Sequence, residues 1–194
     1  VVSAWSVFDP YYREYIVSLD ADTIAWSEPK NRWNTFYSFA GECYATILRS
    51  IVSFKDGALW FHDKNPVYNN FYGVQYTSKI TPIPHLDNDK VIWFAFNLQG
   101  SQAQVNTNNW AVPSITNTDG QQSRLTKFNF RKLESMWYAA FLRDETDTTM
   151  PDPIINGRNL RGQELVMEME NDSTQEWYLK QLITEYKKSR KTTI

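Results

Sequence analysis

Two histidines, one cysteine and scattered carboxylates are all this sequence offers for bond-making chemistry. His62 and His85 lie far apart, and neither has a histidine partner at metal-ligand spacing. His62 beside Asp63, or His85 near Asp87, is the nearest approach to a metal site; a lone imidazole next to an aspartate in a turn reads more simply as solvated. Cys43 with His62 would make a thiol nucleophile pair, against the plainer reading of a buried, inert cysteine in an aromatic strand. Glycoside hydrolysis needs only two carboxylates, and Glu28, Glu42, Glu134, Glu145 and Glu164 all stand in aromatic neighbourhoods. Their spacing places no pair on a common face, so each reads as a surface or turn carboxylate. Asp20/Asp22 and Asp87/Asp89 resemble scraps of a calcium loop but lack its sharp-turn glycine and distal glutamate, and hairpin turns explain them better. No glycine-rich phosphate loop is present; the seven glycines stand where turns need them. The run Lys187-Lys188-Ser189-Arg190-Lys191 would grip an acidic partner or serve as a solvated end. The residues therefore assign no catalytic, cofactor-binding or metal position, and the expectation is a protein that is not an enzyme.

The elements that would carry these residues are strands. Tyr15, Val17 and Leu19 alternate with Ile16 and Ser18 before a turn at Asp20-Ala21-Asp22. Ile24 and Trp26 share a face before Ser27-Glu28-Pro29-Lys30-Asn31. Trp33 to Phe39 is a further aromatic strand, and Ala45 to Phe54 another, leading into Lys55-Asp56-Gly57. Asp-Gly between apolar runs marks a hairpin, because both central residues of a type I′ turn need positive φ. Leu59 to His62 is the returning strand. Val74 to Ile83 reads as a Thr/Tyr-rich strand closed by Pro82 and Pro84. Val91 to Leu98 is apolar on both faces, as in a strand covered on both sides. Gln102 to Val112 is an edge strand or a long loop. From Leu125 to Leu142 the alternation slips phase near Lys132-Leu133, predicting a bulge or a break into two strands. Thr146 to Asn159 is loop, and Leu165, Met167 and Met169 alternate with Glu168 and Glu170. The last segment is ambiguous: Ser173-Thr174-Gln175-Glu176 fits a helix capping box, while Trp177, Leu179 and Ile183 fit a strand paired to Leu165–Met169.

Composition bounds the function further. The chain has 194 residues, a net charge of −2, and 8 Trp, 11 Tyr and 11 Phe. That aromatic content excludes a disordered chain and favours strands. At this length roughly 70% of the unfolded chain's surface is buried on folding, so a core forms without cross-links. One cysteine excludes an intrachain disulfide framework. No apolar run approaches a membrane-spanning length, and near-neutral charge argues against non-specific nucleic-acid binding. The first residues, from Val1, have neither an initiator Met nor signal-peptide character, as in a mature fragment or part of a longer polypeptide. Eight Trp in a β protein of this size leave some ring surface exposed, for a protein interface or for sugar stacking.

Trp33-Asn34-Thr35-Phe36-Tyr37-Ser38-Phe39, then Ser53-Phe54-Lys55-Asp56-Gly57-Ala58-Leu59-Trp60-Phe61-His62, then Asn69-Asn70-Phe71-Tyr72-Gly73-Val74-Gln75-Tyr76, form an ordered series. This series resembles large tail structural proteins of crAss-like, Bacteroidales-infecting bacteriophages, the muzzle proteins at the tail tip among them. Leu160-Arg161-Gly162-Gln163 and a final strand ending Tyr186-Lys187-Lys188-Ser189 are similar to the end of the same module, so the resemblance spans most of the chain. It implies a virion component made in the bacterial host cytoplasm, corresponding to a C-terminal portion of such a protein. The partners it implies are other phage tail proteins and further copies of itself in a homo-oligomeric ring, with no specific nucleic-acid binding and no membrane. It also tips the last segment towards strand. The motifs make sense as fold determinants: Asp56-Gly57 for a hairpin, Gly73 for a tight turn, Asn69-Asn70 for capping that turn. The alternative is that Phe71 and Tyr72 form an exposed recognition patch.

The expected fold is all-β. Residues 1–63 form an antiparallel, propeller-blade-like meander, residues 64–73 a connecting loop, and residues 74–194 an antiparallel β-sandwich. The expected function is a structural subunit of a phage tail. The alternative is a carbohydrate-binding β-sandwich that recognises a bacterial surface glycan.

Overall fold

The structure is a computed structural model and describes residues 3–20, 22–87, 89–100 and 108–189. Strand accounts for 54% and helix for 4%, so the fold is all-β, and every strand pairing among the described residues is antiparallel. The chain divides into two compact units, Val1–Tyr76 and Thr77–Ile194.

In the first unit β1 (Ala4–Asp9), β2 (Glu14–Leu19), β3 (Asp22–Ser27) and β4 (Arg32–Tyr37) follow one another as a four-stranded meander. β5 (Cys43–Ile47), β6 (Ser50–Lys55) and β7 (Ala58–Phe61) make a second, three-stranded sheet, and β8 (Asn70–Phe71) with β9 (Val74–Gln75) a short hairpin. The strand expected over Ala45 to Phe54 is thus two strands. Leu48 and Arg49 take φ of 47° and 69°, a left-handed pair that turns the chain in two residues. Leu and Arg carry no turn signal, which is why the sequence conceals the break. Asp56 and Gly57, at φ 51° and 75°, form the hairpin their sequence predicts.

Alternation along β2 and β3 is regular, but hydrophobicity does not choose the buried face. Glu14, Ile16 and Ser18 on β2 are buried, with Thr23, Ala25 and Ser27 on β3. The opposite face, with Tyr15 and Leu19, is open to solvent.

The second unit holds β10 (Ser78–Ile80), β11 (Val91–Gly100), β12 (Trp110–Thr116), β13 (Gln122–Leu125), β14 (Phe130–Leu133), β15 (Met136–Ala140), the single-turn α1 (Pro153–Asn156), β16 (Arg161–Gly162), β17 (Val166–Asn171) and β18 (Leu179–Lys188). One sheet runs β10-β17-β12-β13. In the other, β11 pairs with β15 and the short β16 along one edge and with β18 along its other edge. Both sheets supply one core: Trp93, Phe96 and Leu98 from β11, with Val112, Ile115, Met167 and Met169 from the other sheet. The apolar run expected at Val91–Leu98 is this central strand, but it is covered on one face only: Phe94 is exposed, with Ile92 and Asn97 half-buried.

Several sequence expectations change here. Val74 to Ile83 is not one strand: β9 pairs with β8 in the first unit, and β10 pairs with β17 in the second. The phase slip near Lys132-Leu133 is a break into two strands, turned at Glu134 and Ser135 with φ of 46° and 66°. Of the segment Gln102 to Val112, residues up to 107 lie outside the described residues, while its end enters β12, an interior strand of its sheet. The last segment is a strand, but it pairs with β11 rather than with Leu165–Met169. Ser173 does not cap a helix. Its hydroxyl accepts the Gln175 N–H and donates to the Gln175 carbonyl, a local turn. Where β18 passes Gly100, an added Cβ would collide with the Tyr178 carbonyl oxygen, so glycine is required by close backbone approach.

Candidate functional site

The motif residues converge on Phe39. Its ring lies 4.9 Å from Tyr37, 4.6 Å from His62 and 5.0 Å from Phe71, with Tyr44 and Tyr72 each at 6.4 Å between centroids. Phe39 leaves the first sheet just after β4 and turns inward, where Ile16, Ala25 and Ile51 complete the core. Phe71 and Tyr72 are half-buried against this cluster rather than presented as a patch, so residues 70–72 contribute to the first unit's core.

Two hydrogen-bonded chains thread the cluster. Ser18 bonds the Thr23 hydroxyl at 2.6 Å and the Tyr44 hydroxyl at 2.7 Å. Ser53 bonds His62 Nε2 at 2.8 Å and the Tyr72 hydroxyl at 2.9 Å. They approach each other at Gly41, where a Cβ would lie 3.0 Å from both Tyr44 Cζ and the Tyr72 hydroxyl oxygen. Burial drives the His62 pKa down to about 4, with Asp9 pulling weakly the other way. It also pushes the Tyr72 hydroxyl up to about 12. Such pairing allows polar groups to sit in a core that would otherwise exclude them.

Ser53 with His62 has the form of a nucleophile–base pair, but Ser53 is completely buried, so no substrate can reach its Oγ. Cys43 is not the partner of His62. It pairs across the sheet with Phe54, whereas Ser53 pairs with Tyr44 and Trp60, so the thiol and Ser53 point to opposite faces.

The candidate carboxylates are each occupied separately. Glu28 pairs with Arg13, Glu145 with Arg124 and Glu164 with His85, Glu42 accepts the Asp56 N–H, and Glu134 forms a turn. His85 has Asp87 at 3.4 Å from Nε2 and Glu164 at 3.4 Å from Nδ1; carboxylates on opposite ring nitrogens do not converge on one ion. Asp20 accepts the Ser3 N–H, and Asp89 pairs with Lys188 from the basic run. Arg190 and Lys191 of that run lie outside the described residues, as does Ala21 of the first turn. Among the described residues no group of three or more His, Cys, Asp or Glu is placed to hold a metal.

One cleft escaped the sequence reading. A polar hollow of about 260 Å3 is lined by Asp119, Gln121, Asp144, Asp147 and Arg158, among others. Asp144 accepts the Gln122 and Thr146 N–H groups and the Thr146 hydroxyl. Asp147 accepts the Thr149 N–H and hydroxyl and Arg158 Nε. Burial works to raise Asp144, but hydrogen bonds led by the Thr146 hydroxyl outweigh it and hold the carboxyl below its usual range. Asp147 is lowered chiefly by the Thr149 hydroxyl and further by Arg158. Both are therefore ionised at neutral pH, whereas glycoside hydrolysis needs one carboxyl held protonated. The repeated Asp-x-Thr spacing, Asp144-Glu145-Thr146 and Asp147-Thr148-Thr149, is the signal that could have found these turns.

What remains is surface. On the outer face of β1–β4, cross-strand register aligns Phe8, Tyr15, Trp26 and Trp33 in one row and Val17, Ile24 and Phe36 in the next. On the outer face of β5–β7 it aligns Cys43, Phe54 and Leu59, then Ala45, Val52 and Phe61. Apart from Ser6, which also stands in the Val17 row, these rows are apolar, and Val52 is buried between its exposed neighbours; small and polar partners line the shared core.

Residues 66–144 match the family model of the Crassvirus muzzle protein C-terminal domain. This region is muzzle-protein-like. The matched stretch starts at the β8–β9 hairpin and runs to the end of β15 and the loop after it. The segments Trp33–Phe39 and Ser53–His62, and those from Leu160 onward, fall outside it. No curated protein matches the chain.

Proposed function

We propose that this chain is a structural component of a phage virion, placed at the tail tip in a homo-oligomeric ring beside other tail proteins. The observation that carries the reading is the match of residues 66–144 to the muzzle protein domain. The chemistry agrees: the Ser53 hydroxyl is buried, and the two cleft carboxylates are both held ionised. Aromatic rows such as Phe8–Tyr15–Trp26–Trp33 suit protein contacts, where Trp, Tyr and Phe dominate. In this reading the second unit is a β-sandwich and the four-stranded sheet of the first is blade-like. Synthesis in the host cytoplasm precedes assembly into the virion. The described residues include no helix long and apolar enough to cross a membrane.

Peptide mass spectrometry of purified virions, with immunogold labelling by an antibody to this chain, tests the proposal. Peptides from the chain and gold at the tail tip are expected. Absence of the chain from purified particles would overturn it.

A further inference from the structure

We infer that copies of this chain associate head to tail through the first unit, the outer face of β1–β4 on one copy seating on the outer face of β5–β7 of the next. The inference rests on the assembly reading above and names the surfaces that would make the contact.

The inner faces of the two sheets share one core through Ile16, Ala25 and Ile51, so their outer faces both turn away from it. Tyr15, Trp33 and Phe36 on the first face are 52%, 54% and 83% exposed. At about 150–250 Å2 per aromatic side chain, these three present about 400 Å2 of apolar surface. Phe54, Leu59 and Phe61 on the second face are 43%, 47% and 53% exposed, flanked by Ile47 and Cys43. Each face alone lies in the range of the largest apolar patch on a typical monomer, about 300–600 Å2. This chain carries two.

A second copy is the occupant that accounts for both. A stable contact buries about 800 Å2 per partner, and its core is roughly 65% apolar. About 400 Å2 of ring surface is then most of the apolar part that one side of such a contact needs. Charge does not oppose the seating: Asp22, at the hairpin end of the first face, meets no acidic residue in the rows of the second. The faces are unlike, one broad and ring-rich, the other narrower with aliphatic side chains between its rings. A two-fold dimer through either face would leave the other wet. A head-to-tail contact covers both in every copy, and such contacts close into rings when the rotation permits.

The test uses the full chain in sedimentation velocity across a wide concentration range. The wild type is expected to pass beyond dimer as concentration rises. Phe36→Asp on the first face and Phe61→Asp on the second should each be monomeric, because each removes one side of the contact. Mixed in equal amounts they should form a one-to-one dimer, since each retains the face the other lacks. Tyr15→Asp and Leu59→Asp repeat the pair if either first variant loses its strand circular dichroism. A mixture that stays monomeric, a variant that associates like the wild type, or a wild type that stays monomeric or stops at dimer overturns the inference. A chain found in virions yet monomeric in solution would sink this contact and leave the virion reading standing; absence from virions would do the reverse.

Discussion

His62 shows what one residue costs when placed among rings. Its Nε2 meets the Ser53 hydroxyl, and burial holds the imidazole neutral with a pKa near 4. Above the unfolded value of 6.5 both states are neutral and the histidine contributes nothing to the pH dependence. As pH falls through 6.5 the unfolded chain takes up a proton that the folded one refuses. Stability is lost until the folded pKa is passed. The shift corresponds to about 3 kcal/mol. Urea denaturation followed by aromatic fluorescence should show that loss between pH 7 and 4.5 for the wild type. His62→Gln, which keeps a hydrogen-bonding head and does not titrate, should flatten the profile over the same window. An unchanged slope would mean that other groups carry it.

At the scale of elements, turns decide where strands end, and not all of them announce themselves. Asp56-Gly57 is legible because both residues tolerate positive φ. Leu48-Arg49 does the same work from residue types that resist it, at a cost of about 1–2 kcal/mol per residue in the left-handed region. Replacing the pair by Asn-Gly (Leu48→Asn with Arg49→Gly) should keep β5 and β6 in register and relieve that strain. The expected result is a rise of about 5 °C in the thermal midpoint of the first unit, measured by circular dichroism. A fall would show that Leu48 or Arg49 makes a stabilising contact that outweighs the turn. The last strand illustrates the opposite difficulty. Its alternation is equally compatible with a helical face, and only the long edge of β11 supplies the partner that makes it β18.

For the whole molecule, the distribution of exposed rings matters more than their number. Phe128 is 97% exposed, yet it stands on a short 3-10 turn, Lys127–Asn129, outside both apolar sheet faces. Phe128→Asp should therefore leave the sedimentation profile of the full chain unchanged, whereas Phe36→Asp should not. Equal loss in both variants would indicate general stickiness rather than a specific contact. The sequence by itself determined the all-β class, the apolar strand at the centre of the second unit and the Asp-Gly hairpin, because these follow from local residue type and period-two alternation. Alternation distinguishes two faces of a strand but does not say which one meets a core. In β2 and β3 the tertiary structure turned the small polar face inward, because Ser18 and Thr23 bond each other there and Tyr44 arrives from the second sheet to complete them. The same choice set Tyr15, Trp33 and Phe36 outside. It also joined Ser18 to Tyr44 across 26 positions of the chain, since only packing makes neighbours of residues that lie far apart in sequence.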